Sequence, residues 1–192
     1  MTVLATDNFN RANNATLGAN WTAISTLSGS LIVDGNRATG QGGGAWGNKY
    51  TAVSFPNNQY GQATIAQAQS GGGIVLRVDG SGRFYLFNID SPGASAACAI
   101  YYYDGSTFNL LATQTHSAVL NDVISFEANG TSLTGKINGS TVTTTTHSTL
   151  TAGAVGIYAY GTQTMYWDDW EGGDLAAAPT GRANFLTLLG VS

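Results

Sequence analysis

Charge is scarce in this chain. Only 9% of its 192 residues are Asp, Glu, Lys or Arg, against ~25% in an ordinary globular protein. Solvation must come from Thr, Ser, Asn, Gln and Gly instead, which suits an extracellular or virion protein better than a cytosolic enzyme. The seven Lys and Arg residues are scattered and the net charge is −4. No basic stripe exists, which argues against nucleic acid as a partner. Cysteine is almost missing too. Cys98 stands alone in "ASAACAIYYY", so an internal disulfide and a cysteine-based zinc site are excluded, and a small buried hydrophobe is expected. The two histidines, His116 and His147, sit in "QTHSAV" and "TTHSTL". Both stretches read as solvated strand ends with no nucleophile set beside them, which argues against Ser-His-Asp chemistry. No apolar run approaches the ~20 residues needed to span a bilayer, so no membrane partner is expected. The opening "MTVLATDNFNRANN" lacks the basic start and apolar core of a secretory signal. A virion component released by lysis reconciles an exterior composition with no export signal. A mature fragment restarted at an artificial Met1 does so equally.

What is present is β-structure. Apolar residues make up 43% of the chain, enough for the core of one domain, or of one domain with a tail. Short alternating or β-branched runs recur between Gly, Asn, Asp and Ser. They include "SLIVDG", "NRATGQ", "GAWGNKYTAVSF", "YGQATIAQAQ", "GGIVLRVD", "RFYLFNI", "ACAIYYYD", "FNLLATQT", "DVISFEANG", "SLTGKING", "STVTTTTH", "GAVGIYAYG" and "TMYWDDWE". "DGSGR" (79–83), "DGST" (104–107), "NGTS" (129–132) and "NGST" (138–141) place Asx-Gly where a left-handed φ is needed, and so read as hairpin turns. This many strands is too many for a small immunoglobulin-type sandwich and fits an all-β, two-sheet antiparallel jelly roll over residues 1–175. "GGDLAAAPTGRA" then breaks the pattern, so residues 176–192 read as a linker and an apolar C-terminal tail.

The segments "DNFNRANNATLGANWT", "SLIVDGNRATGQ", "GGGIVLRVDGSGRFYLFNID", "VISFEANGTSLTGKINGSTV" and "GAVGIYAYGTQTMYWDDWEGGDL" follow one another in that order. Together they resemble concanavalin A-like (laminin-G-like) jelly-roll domains of bacterial secreted proteins and phage structural proteins, over roughly residues 5–175. The resemblance implies two curved antiparallel sheets, one concave and one convex. It leaves function open, because that fold hosts lectins, glycosidases, lyases and structural modules.

Four of the eleven acidic residues fall in "MYWDDWEGGD", residues 165–174. Retaining glycosidases need two carboxyls ~5–5.5 Å apart. Strand alternation puts Met165, Trp167, Asp169 and Glu171 on one face and Tyr166, Asp168 and Trp170 on the other. That leaves a single pair, Asp169 and Glu171. Jelly-roll glycosidases of the laminarinase type carry acids at i, i+2 and i+4 on a mid-chain strand. Here the first position is Trp167, the segment is late, and the mid-chain strands offer only Asp79 and Asp90, both in turn-like settings. Catalysis is therefore not expected. Calcium is the second reading, with Asp7, Asp168 and Asp169 as candidate ligands if the first and last strands pair. The competing reading has these acids bonded to turn amides or to Arg11. Trp167 or Trp170 is expected to plug the core where the termini meet. Gly-rich "GQGGGAWG" (40–47) lacks the Lys-Ser/Thr of a phosphate loop and reads as a turn or a bulged strand.

The aromatic residues point further. Trp46 and Tyr50 share one face of their strand, as do Tyr101 and Tyr103 of theirs, with Tyr102 opposite. One set in each strand must fill the core and the other meets solvent or a partner. Trp46, Tyr50, Tyr101 and Tyr103 are thus the candidates for stacking on sugars, on the concave face. In the tail, Phe185, Leu186, Leu188 and Leu189 form an apolar peptide expected to dock on its own domain or on another subunit. Two functions follow. The first is a non-enzymatic phage virion module, a head-decoration or tail-associated protein anchored by its tail or a sheet edge to other virion proteins or to its own copies. The second is a carbohydrate-binding adhesion module for cell-surface glycans. A polysaccharide hydrolase or lyase comes third.

Overall fold

The computed structural model describes residues 1–68, 71–90 and 97–175. These form thirteen strands: β1 Thr2–Asp7, β2 Trp21–Ala23, β3 Ile32–Asp34, β4 Arg37–Tyr50, β5 Gln59–Ala68, β6 Gly72–Val78, β7 Phe84–Ile89, β8 Ala97–Tyr103, β9 Phe108–Thr115, β10 Val123–Asn129, β11 Ser132–Ile137, β12 Ser140–Thr146 and β13 Ala154–Asp174. All pairings are antiparallel, and they divide the strands into two sheets that share two members. The first half of β13 pairs with β6 on one side and with the second half of β4 on the other. Its second half pairs with β5 on one side, and with the start of β4 and then β1 on the other. The front sheet runs β2–β4–β13–β6–β7–β8–β9, and the back sheet runs from β1, β3 and β4 through β13 to β5–β10–β11–β12. Without hydrogen bonds between them, β10 packs on β6, β11 on β8, and β12 on β8 and β9. This is the two-sheet jelly roll that the strand pattern predicts.

Alternation explains the core. From the front sheet, Ile74, Leu76, Tyr85, Phe87, Ile89, Cys98 and Ile100 point inward. They meet Ala63, Ile65, Ile124, Phe126, Leu133 and Ile137 from the back sheet, with the Phe87 and Phe126 rings 6.0 Å apart. Burying each large side chain stabilises the sandwich by about 1.5–3 kcal/mol. Cys98 is 0% exposed, and burial, with the nearby Asp90 carboxylate adding to it, pushes its thiol up to about 11. It is the inert small hydrophobe that its setting implies.

Four expected strands fuse into two. "NRATGQ" and the first part of "GAWGNKYTAVSF" form the single β4, which ends at Tyr50 and leaves residues 51–55 outside any strand, and "GAVGIYAYG" and "TMYWDDWE" form the single β13. The glycine-rich joints are irregularities within continuous strands, marked by register shifts around Thr162. Alternation in the acidic segment also needs correcting. Asp169 has φ 46°, and the register against β5 slips between Asp168 and Glu171. This is a β-bulge. It carries Trp170 to the same side as Trp167, so both indoles are core plugs, at 1% and 0% exposure. Trp170 lies 4.6 Å from Trp21 and 5.2 Å from Tyr50, centroid to centroid. The first and last strands do pair, with Asp7 opposite Trp170. Asp7 accepts hydrogen bonds from Trp21 Nε1 (2.7 Å), from Phe9 N (2.8 Å), and from Arg11 Nη1 and Nη2.

All four Asx-Gly stretches turn hairpins. At the β6–β7 turn, burial pushes Asp79 up, but amide and guanidinium donors from Arg83 and Ser81 outweigh it, and the carboxyl titrates below its ordinary value. At the β8–β9 turn, the Thr107 and Ser106 amides lower Asp104 to about 2, with Asn109 and the Ser106 hydroxyl adding to them. The far end of the sandwich is tied by Arg77, which is 1% exposed. Its guanidinium donates to the carbonyls of Asn57, Gly130 and Leu150, one from each of three separate loops.

Two outcomes test this account. Arg77→Met takes the donor from the buried Leu150 carbonyl and from the more open Asn57 and Gly130 carbonyls, which should cost about 2 kcal/mol and lower Tm by roughly 4–8 °C; a calorimetric scan reads it. Asp104 has its pKa depressed on folding, so its contribution is full above the unfolded value of ~3.9 and is lost as pH falls towards about 2. Urea titrations should therefore show Asp104→Ala losing less stability between about pH 4 and pH 2 than the unmutated protein.

Candidate functional site

The outer face of the front sheet carries a second apolar cluster. Val75, Val78, Phe84, Leu86, Tyr103 and Tyr158 project there, opposite to the main core. The 24–30 loop roofs one end of it. Ile24 and Leu27 pack onto the cluster, Tyr103 donates its hydroxyl to the Thr26 carbonyl (3.1 Å), and Thr26 donates to the Gly82 carbonyl (2.8 Å). The other end is open. There the register aligns Tyr158, Gly73, Asn88 and Ala99 in one row across β13, β6, β7 and β8. Two bulky side chains alternate with two small residues, so the row contains a hollow. Gly73 is required by its neighbour, because a Cβ there would lie 1.9 Å from the Phe87 carbonyl oxygen.

This face is concave. Phe108 on β9 and Tyr158 on β13 are separated by three strands, yet their ring centroids are 5.9 Å apart. At ~4.8 Å per strand a flat sheet would hold the two backbones ~19 Å apart, beyond such an approach. The sheet must curl towards the outer face. The resulting pocket has a volume of about 280 Å³ and is lined by Leu86, Asn88, Asp90, Tyr101, Phe108, Tyr158 and Tyr160, with Gly71 at its rim. Asn88 Nδ2 donates to Asp90 Oδ1 at 2.9 Å. Asn88 is 8% exposed and Tyr160 53% exposed. Burial raises the Tyr101 phenol, and the Asp90 carboxylate raises it further. Burial also raises Tyr158, with the neighbouring phenols of Tyr160, Tyr101 and Tyr103 adding to it. Both phenols are thus held protonated, as donors.

The four expected stacking residues separate. Tyr101 lines the pocket, and Tyr103 lies beneath as its buried support, stacked 4.9 Å from Phe84. Trp46 and Tyr50 share the opposite, inward face and pack against the main core. Tyr50 is 8% exposed, and Trp46 is partly buried with its Nε1 donating to the Gly42 carbonyl. Neither reaches the concave face. Asn88, Asp90, Tyr158 and Tyr160 are the residues that sequence reasoning passed over. Strand alternation sets Asn88 on the face of Phe84 and Leu86, while Asp90 reads from the sequence as a turn residue. The tail candidates Phe185, Leu186, Leu188 and Leu189 lie outside the described residues.

The acidic segment forms a different hollow of about 370 Å³, lined by Asp7, Asp169, Trp170 and Glu171. Asp7 is taken up by Arg11, Trp21 and Phe9, Glu171 accepts the Tyr60 hydroxyl, and Asp168 accepts the Asp169 amide. Among the described residues, no three His, Cys, Asp or Glu side chains gather as a metal-binding group. A hollow of about 680 Å³ lies over Arg77, whose guanidinium is already committed to loop carbonyls. Of these three hollows, the concave pocket best combines apolar walls with convergent polar groups.

No family model matches the sequence, and no curated protein matches it. Solved structures do resemble the fold. A carbohydrate-binding module, CBM66 from Bacillus subtilis, aligns with a TM-score of 0.59 at 13% identity, covering 81% of this chain and 93% of the other. A Bacillus subtilis protein of unknown function described as having a galectin-like fold aligns at 0.65 and 10% identity, covering 91% and 96%. The exoplasmic/lumenal domain of VIP36, in a Ca²⁺/Man3GlcNAc-bound form, aligns at 0.58 and 11%, covering 85% and 89%. These likenesses place the chain in the concanavalin A-like jelly-roll fold.

The protonation of the pocket phenols is directly testable. Exposed tyrosines ionise around pH 10, whereas burial holds Tyr158 well above that. Tyr158→Phe should leave the rise in tyrosinate absorbance around pH 10 unchanged in amplitude. A loss of amplitude there would place Tyr158 in solvent.

Proposed function

We propose that this protein is a non-catalytic carbohydrate-binding module, and that the concave pocket of the front sheet receives the sugar. One observation carries the reading: Tyr101, Tyr158 and Tyr160 wall a pocket in which the bonded pair Asn88–Asp90 supplies the polar edge. A sugar ring offers C–H faces that pack on aromatic rings, and hydroxyls that need donors and acceptors. Asp90 accepts, Asn88 does both, and protonated phenols donate. The lectin and carbohydrate-module names of the solved neighbours support the reading, although a shared fold alone does not transmit function. Asp90 is the single carboxylate among the described lining residues, while glycoside cleavage ordinarily uses a pair ~5–9.5 Å apart. An extracellular setting suits such a module and the low charge of the chain. The expected virion role draws no support from these neighbours.

A glycan array and calorimetric titration test the proposal. Tyr101→Ala should weaken binding about tenfold. Gly71→Leu should abolish it without harming the fold, because a Cβ at position 71 would meet Asn88 and Asp90 at ordinary contact distances of 3.5–3.6 Å and the rest of the side chain would fill the pocket. Absence of any glycan bound by the unmutated protein, or full affinity in Gly71→Leu, would overturn the reading.

A further inference from the structure

We infer that the concave pocket selects one uncharged sugar unit and rejects acidic sugars, with Asp90 as the residue that makes the distinction. This rests on the carbohydrate reading and adds the class of ligand. Size sets the first limit. At about 280 Å³ the pocket falls just below the ~300–1,000 Å³ of sites for drug-sized ligands, so it admits one ring with the remainder of a glycan outside. Charge sets the second. Among the described lining residues Asp90 is the only ionisable group other than tyrosines, and no Lys, Arg or His is present to receive an anion.

Asp90 is also well placed to be felt by a ligand. Asn88 occupies Oδ1, no other described side chain bonds either carboxylate oxygen, and the residue is exposed and lines the pocket. Its charge reaches the walls, since it adds to the upward shift of the Tyr101 phenol. A neutral ring meets this carboxylate with hydroxyl donors, a charge-assisted hydrogen bond and the stronger kind. A uronic or sialic acid confined in the same space brings a second carboxylate within a few ångströms. At an effective dielectric near ~20 that repulsion weakens binding by roughly ten- to a hundredfold.

The test is a calorimetric comparison of matched probes: lactose against 3′-sialyllactose, galactan oligosaccharides against oligogalacturonate, and cello-oligosaccharides against oligoglucuronate. The unmutated protein should bind the neutral member of at least one pair, at least tenfold more tightly than its acidic partner. Raising salt from about 20 mM to about 500 mM should narrow that gap by screening. Asp90→Asn keeps shape and hydrogen bonding, and should raise the acidic-to-neutral affinity ratio at least tenfold with an unchanged melting temperature. Equal or tighter binding of the acidic members to the unmutated protein, or a ratio unmoved in Asp90→Asn, overturns the selectivity while leaving the carbohydrate reading in place. Binding of neither member of any pair overturns the selectivity, and overturns the carbohydrate reading as well where the glycan array is also empty.

Discussion

The 21 residues of β13 are paired on both sides along most of their length with four different strands, and the strand belongs to both sheets. A strand of this kind fixes the angle between the layers, because any rotation at its bend would break ladder hydrogen bonds in both. The bend is held from inside. Trp167 in the second half donates its indole N–H to the carbonyl of Tyr158 in the first half, at 2.9 Å. The same indole is 0% exposed in the main core. One side chain thus anchors the core, sets the crossing, and fixes the backbone from which Tyr158 projects into the concave pocket. The pocket wall inherits its position from core packing, which gives it the rigid support that a binding site requires.

Patterns of period two were legible in the sequence where the strand is regular. "FYLFNI" and "ACAIYYY" alternate as their residues predict, with Tyr85, Phe87 and Ile89 inward and Phe84, Leu86 and Asn88 outward. Three of the Asx-Gly turns were legible for a local reason, with the left-handed φ at Gly105, Gly130 and Asn138–Gly139, whereas in 79–83 it falls on Gly82 and not on Asp79–Gly80. Bulges were not. Asp169 adopts φ 46° although nothing in "WDDWE" separates it from Asp168. Only the demand that two indoles reach one core selects it, and that demand is tertiary. The same limit hid the fusion of four runs into β4 and β13, where glycines that resemble turn signals let strands bend between sheets.

The concave site was half legible for a related reason. Alternation says which residues share a face but not which face is the core. Trp46 and Tyr50 fit a sugar platform as well as Tyr101 and Tyr103 do, by spacing alone. The partner decides: Tyr50 stacks on Trp170, brought inward by the bulge, while Tyr101 pairs across from Leu86 on the face that curls. Asp90 was discounted because it ends a strand. What puts it at the pocket is alternation: it follows Asn88 by two residues and shares its outward face.

The scarcity of charge gives that residue its weight. Most acids in the described chain have structural work of their own. Asp7 serves Arg11 and Trp21, Asp79 serves Arg83, Glu127 serves Lys136, and Asp104 and Asp122 hold turns. In each case the partner is built in, and the carboxylate's hydration is replaced by fixed donors. Among the described residues Asp90 has one such donor, Asn88, and lines the pocket with Tyr101, Tyr158 and Tyr160. Asp90 is exposed, so its carboxylate keeps free acceptor capacity for a ligand. Hydroxyl groups arriving on a neutral ring would use that capacity, and a second carboxylate would meet it as like charge. The low charge density that first suggested an exterior protein thus also explains how a single side chain can govern what the concave face accepts: no nearby cation is present among the lining residues to mask it.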